Sequence, residues 1–157
     1  MNPIDDPLNP HSHEPNPEPP SQDATFELVV VNGRCHTITP ARLTVLPVTI
    51  ITNCYIVSTG HGTSGPFAFT GTRLLDLIQA YEESAWSQVE IISADGFGCR
   101  IQAEELRSPT DKPILLAYNI NGQTMSRQQG LVRLIVPSEK DDALRQVKWI
   151  SRICIRP

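Results

Sequence analysis

Two Asn-Gly dipeptides, Asn32-Gly33 and Asn121-Gly122, each stand between runs of β-forming residues, and they constrain the fold more than any other feature of the chain. Asn and Gly tolerate the left-handed backbone that a two-residue type I′ turn demands, so each dipeptide predicts a tight antiparallel hairpin. The first joins the short strands of "FELVVVNGRCHTIT", and the second lies in "PILLAYNINGQTM". "LPVTIITNCYIV", "QVEIIS", "LVRLIVP" and "QVKWISRICI" read as further strands, and "ADGFG" as a turn. "TRLLDLIQAY" places apolar residues at 74, 77, 78 and 81, the spacing of an amphipathic helix, with Thr70 or Thr72 available as its cap. "AEEL" offers at most a short helical turn, and "STGHGTSGPFAFTG" reads as a long glycine, serine and threonine loop. There is no internal repeat. The expectation is an α+β domain, β-rich and mixed, with one substantial helix.

The expected boundaries are a tail over 1–23 and a folded domain over 24–157. The tail holds seven of the fourteen prolines and almost no large apolar residue, too little to offset the entropy of ordering it. It carries five acidic residues and no Lys or Arg, leaving 13 basic against 12 acidic residues in the remainder. A nearly neutral domain without a basic stripe argues against nucleic acid as a partner. The tail has neither the basic and apolar regions of an export signal nor a twin arginine. No stretch approaches the roughly 20 apolar residues of a membrane span. A cytoplasmic protein is expected, with no membrane partner. Cys35, Cys54, Cys99 and Cys154 include no C-x-x-C pair, which argues against a disulfide framework and a structural zinc site. His11 and His13 read as solvated tail residues.

The chemistry is concentrated near the C-terminus. In "QGLVRLIVP" strand alternation puts Leu131, Arg133 and Ile135 on one face and Val132, Leu134 and Val136 on the other. Neither face is polar, so Arg133 is expected in an apolar layer, where a guanidinium needs an anion. In the last strand Val147, Trp149, Ile153 and Ile155 face one way, while Lys148, Arg152 and Arg156 face the other. On pattern alone that is an edge-type strand with an apolar inner face. Arg133, Arg145 and Lys148 would form a phosphate or carboxylate clamp if neighbouring strands brought them together. Otherwise Arg133 would be paired internally, with Asp95 or backbone carbonyls.

Six segments, in order, carry a resemblance across roughly residues 26–156: Cys54 ending a β-run, "FTGTRLLDLI", "SADGF", "LAYNINGQTM", "GLVRLIVP" and "QVKWISRI". Together they resemble the molybdopterin-binding domain of the sulfite oxidase family. Its corresponding motifs read as a metal-binding Cys, W-x-G-v-x-L-x-x-L-L, s-x-D-G-Y, L-A-y-x-x-N-G-x-x-L, G-x-P-v-R-x-v-V-P and V-K-W-i. The resemblance implies a β-rich mixed fold and a molybdenum–molybdopterin cofactor. It assigns Arg133 and Lys148, with Arg145 just before, to the pterin phosphate, and Cys54 to molybdenum. It implies two-electron oxygen-atom transfer on a small-molecule substrate. Some positions differ. The family's G-N-R-R after the cysteine is Tyr55-Ile56-Val57-Ser58 here, with His61 the next polar cation-former. A family tyrosine falls at Phe97, a histidine at Gln129 and a tryptophan at Phe69. Two other readings stand beside the enzyme: a cofactor-free binding module on the same fold, and a domain whose site is completed by a partner subunit or a second copy.

Overall fold

The structure, a computed structural model, describes residues 23–58, 62–137 and 147–157. The expected tail (save Asp23), His61 and Arg145 therefore lie outside the described residues. Among those described, ten strands and three helices run in the order β1 (Phe26–Val29), β2 (Cys35–Ile38), α1 (Pro40–Thr44), β3 (Thr49–Ser58), β4 (Gly62–Arg73), α2 (Leu74–Tyr81), β5 (Gln88–Ser93), β6 (Gly98–Gln102), α3 (Ala103–Arg107), β7 (Leu115–Ile120), β8 (Gln123–Thr124), β9 (Arg133–Ile135) and β10 (Ile150–Arg156). One sheet has the order β2-β1-β10-β5-β6, and the other β3-β4-β7-β8 with β9 also on β7. The result is the mixed, sheet-rich fold that the punctuated β-runs predict.

Both Asn-Gly hairpins form, by different turns. At Asn121-Gly122 both residues are left-handed, with φ of 50° and 82°, and Ile120 pairs Gln123 across a two-residue loop. This is the type I′ condition. At the first hairpin only Gly33 is left-handed, with φ of 90°. Its loop closes through Val30 N–H to Arg34 O and Gly33 N–H to Val30 O, a three-residue bulged turn. The extra residue lets Val31 N–H reach Glu82 Oε1 at 2.7 Å.

Three expectations fail for identifiable reasons. Strand β4 takes up most of the 58–71 stretch read as loop, and it pairs β3 on one side and β7 on the other. Small residues hid a strand there because close approach requires them. A Cβ on Gly71 would lie 2.0 Å from Leu116 O. The helix does occupy 74–81 and buries Leu74, Leu77 and Ile78, but neither threonine caps it. Thr72 Oγ1 donates to Leu43 O, and Arg73 takes the cap position while its side chain grips Asp76 through two hydrogen bonds of 2.7 and 2.9 Å. The last strand begins only at Ile150, and it is central, parallel to β1 and antiparallel to β5. Its outer Arg152 and Arg156 face Glu27 and Glu90, so its basic outer face is ion-paired.

The main core lies where α2 and the apolar faces of both sheets meet, with Phe26, Leu28, Leu77, Leu116, Leu134 and Ile153 among its members. A second, smaller cluster comprises Ile51, Cys54, Ile56, Phe69, Leu115, Ala117, Ile120, Met125 and Ile135. The alternation read in "LVRLIVP" divides between the two clusters. Val132, Leu134 and Val136 enter the first, while Ile135 enters the second. All four cysteines are free thiols.

Candidate functional site

Strand β9 is only three residues long, but it is held on both sides. Arg133, Leu134 and Ile135 pair Ala117, Leu116 and Leu115 of β7. On the other side Leu134 N–H donates to Val147 O and Ile150 N–H to Val132 O, so the segment entering β10 runs alongside. Arg133 is consequently fully buried, at 0 % exposure, on the face shared with Ile135 and the second cluster. Its Nε and Nη2, adjacent donors on one edge of the guanidinium, are buried and make no hydrogen bond among the described residues, although the residue is engaged elsewhere in the structure. Such an edge matches two oxygens of a phosphate or carboxylate. Asp95, the carboxylate considered as an internal partner, is exposed in the β5–β6 turn, where its Oδ1 accepts from Phe97 N–H.

Lys148 is the second buried cation, at 7 % exposure. Alternation assigns it to the outside with Arg152 and Arg156, and the structure corrects this. Trp149, expected in the core, is half-buried and left-handed, with φ of 51°. That conformation breaks the strand's alternation and lets Val147 and Lys148 both turn inward. The ammonium sits 4.3 Å from the Trp149 ring centroid and donates to Gln128 O at 3.2 Å. Across from it, Gly130 and Leu131 are also left-handed, with φ of 119° and 62°. A non-glycine residue in that region costs roughly 1–3 kcal/mol and persists only where its surroundings impose it.

Cys54 lies in β3 at a bulge, with left-handed Asn53 before it and register shifts on both sides. It belongs to the second cluster and is 4 % exposed. Burial pushes its thiol up, while the charges of Lys112 and Arg133 pull the other way. Lys112 is a third cation that the sequence reading missed. It stands exposed in the turn before β7, and its charge bears on the Cys54 thiol. Phe97 is exposed at 40 %, Phe69 is a core residue of β4, and Gln129 Oε1 accepts from Ser126 N–H.

These residues suit an anionic cofactor that carries its own metal. Two buried cations offer an anion site. No group of three or more His, Cys, Asp or Glu side chains able to hold a metal occurs among the described residues. A single soft sulfur is an appropriate protein ligand for such a centre.

Comparison with known proteins points the same way. Residues 27–157 match the family described as the oxidoreductase molybdopterin binding domain. Over 99 residues the chain is 31% identical to mitochondrial sulfite oxidase of Homo sapiens, covering 57% of this chain and 18% of that protein, and the Macaca fascicularis protein of the same name matches to the same extent. The chain thus spans about a fifth of the length of these curated relatives. The crystal structure of the sulfane dehydrogenase SoxCD from Paracoccus pantotrophus shares the fold, with a TM-score of 0.68 at 19% identity over 84% of this chain and 38% of that one. With the family matched over nearly the whole described region and its fold reproduced, the chain belongs to the oxidoreductase molybdopterin-binding domain family.

Proposed function

We propose that this domain binds a molybdopterin cofactor and serves as a small molybdopterin-dependent oxidoreductase. The observation that carries the reading is the burial of Arg133 and Lys148 on adjoining segments, in a family described by molybdopterin binding. Arg133 would present its Nε–Nη2 edge to the phosphate end of the cofactor, and Lys148 a compact point charge beside it. Arg145, seven positions before Arg152 and outside the described residues, is the third basic residue of this group. Cys54 would give its sulfur to molybdenum, and loss of its proton would be driven by the metal, since burial favours the neutral thiol. When bound, such a centre supplies two-electron oxygen-atom transfer to or from a small-molecule substrate. The protein's own contribution is to anchor the anionic end, hold the sulfur in a dry cluster and exclude water from both.

A second reading is a cofactor-free binding module. It is favoured by the near-complete burial of the Cys54 thiol. Completion of the site by a partner subunit or a second copy is compatible with the first reading. A cytoplasmic location stays part of this proposal, and four free thiols are compatible with a reducing compartment. No helix among the described residues is long and apolar enough to cross a membrane. Expression in a host that makes the cofactor, followed by metal analysis, separates the readings. About one molybdenum per chain is expected from a single Cys54 site. A folded protein with none leaves the module.

A further inference from the structure

We infer that Gly130 and Trp149 are positioning residues that seat the Lys148 ammonium for anion binding; the inference rests on the cofactor reading and names how one of its cations is held.

Residues 126–131 form a closed turn. Gly130 and Leu131 N–H both donate to Ser126 O at 3.1 Å, and Gln129 N–H donates to Ser126 Oγ at 3.2 Å. Three carbonyls of this turn receive donors from the dipeptide Lys148-Trp149. Trp149 Nε1 donates to Arg127 O at 2.5 Å, Lys148 Nζ to Gln128 O at 3.2 Å, and Trp149 N–H to Gly130 O at 3.0 Å. The turn and the dipeptide are therefore one unit, and that unit fixes the lysine at both ends.

The stem of Lys148 is fixed by what Gly130 lacks. A Cβ there would stand 3.0, 3.2 and 3.4 Å from Lys148 Cβ, Cγ and Cδ. Three successive stem atoms lie against the bare α-carbon, so a methyl could not be avoided by rotating the last bonds of the side chain. The φ of 119° at Gly130 is a second obstacle to any side chain. At the other end the indole face lies under the ammonium, and a ring with its own N–H bonded to Arg127 O is held in orientation. A flexible lysine loses much rotamer entropy when it grips an anion, and a stem and head already fixed lose less on binding.

The test compares wild type with Gly130→Ala, Trp149→Leu, Trp149→Phe and, as a reference, Lys148→Met, all expressed in a cofactor-producing host. Two readouts are taken on each folded protein: molybdopterin per chain by pterin fluorescence, and the NMR shift of the Lys148 Cε protons, which the Trp149 ring current displaces upfield. Gly130→Ala and Trp149→Leu should return those protons toward the ordinary lysine position and lower cofactor retention about tenfold, toward the Lys148→Met level. Trp149→Phe, which keeps an aromatic face, should retain the displaced shift and most of the cofactor. Unshifted Lys148 protons in the wild type would overturn the seat whatever the cofactor content. Wild-type cofactor retention in both Gly130→Ala and Trp149→Leu would overturn the positioning role. A wild type with displaced Lys148 protons but no molybdopterin would overturn the cofactor reading, and with it the anion role of the seat.

Discussion

Replacing Arg133 by Met removes a charge while keeping a long, unbranched, apolar side chain in a fully buried position. If the buried Nε and Nη2 meet a cofactor phosphate, the variant loses two charge-assisted hydrogen bonds. At roughly 1.5–3 kcal/mol each, the loss is about 3 kcal/mol even at the low end. That corresponds to a fall in cofactor affinity of about a hundredfold. The assay is molybdenum and pterin per chain in protein purified from a cofactor-producing host, with a melting curve to establish that the variant still unfolds cooperatively. Arg133→Lys is the informative companion. It restores the charge without the bidentate edge, so it should recover only part of the loss. A cooperatively folded Arg133→Met that retains cofactor at the wild-type level would refute the phosphate role outright.

Cys54→Ser should lower the molybdenum-to-pterin ratio while the phosphate contacts persist, and a hydroxyl placed in the apolar cluster should cost about 1–3 kcal/mol in a urea melt. Gly71→Ala should destabilise by roughly 3 kcal/mol on chemical denaturation, because its Cβ would meet backbone, Leu116 O and Ala117 Cα, that cannot rotate away. Burial raises the Cys154 thiol and the Tyr118 phenol above their ordinary values, so both favour the native state below pH 9. Their contribution is lost as pH rises through the elevated folded values, and Cys154→Ala should flatten the alkaline fall in melting temperature. Glu90 is held low, first by its hydrogen bond from Arg156, so its small stabilisation is present above pH 4.5 and disappears as pH falls below it.

Local chemistry made much of the architecture legible. Asn121-Gly122 demanded a left-handed pair and received one. Of the 74, 77, 78 and 81 spacing, the first three are buried and Tyr81 is half-buried against the core. The alternation around Arg133 divided its neighbours between two clusters, and that charge in an apolar run is fully buried, as expected. What escaped was non-local. Nothing in "QVKWISRICI" signals that β10 will lie parallel to β1 from the opposite end of the domain and become a central strand. Residues 62–71 looked like loop because strand and loop both use small residues, and only the approach of Leu116 to Gly71 distinguishes them. Lys112 bears on Cys54 through the fold of the turn before β7, which no spacing encodes.

The misplacement of Lys148 has a different origin, because there the local rule was sound and the protein departs from it. Continued alternation would place Lys148 outside with Arg152 and Arg156, where hydration costs nothing. Instead the backbone adopts three left-handed residues within one contact region, and two of them, Leu131 and Trp149, are not glycine. Those two together cost roughly 2–6 kcal/mol. Against this stand the three hydrogen bonds from Lys148-Trp149 to the 126–131 turn, at about 1 kcal/mol each, and a cation–π contact of similar size. The two sides are comparable, so the arrangement gains little for the fold, and it draws a cation out of water. A fold selected for stability alone has no use for that exchange. On the cofactor reading proposed above, presenting Lys148 to an anion would offset that cost, and local rules are expected to fail where binding imposes the conformation.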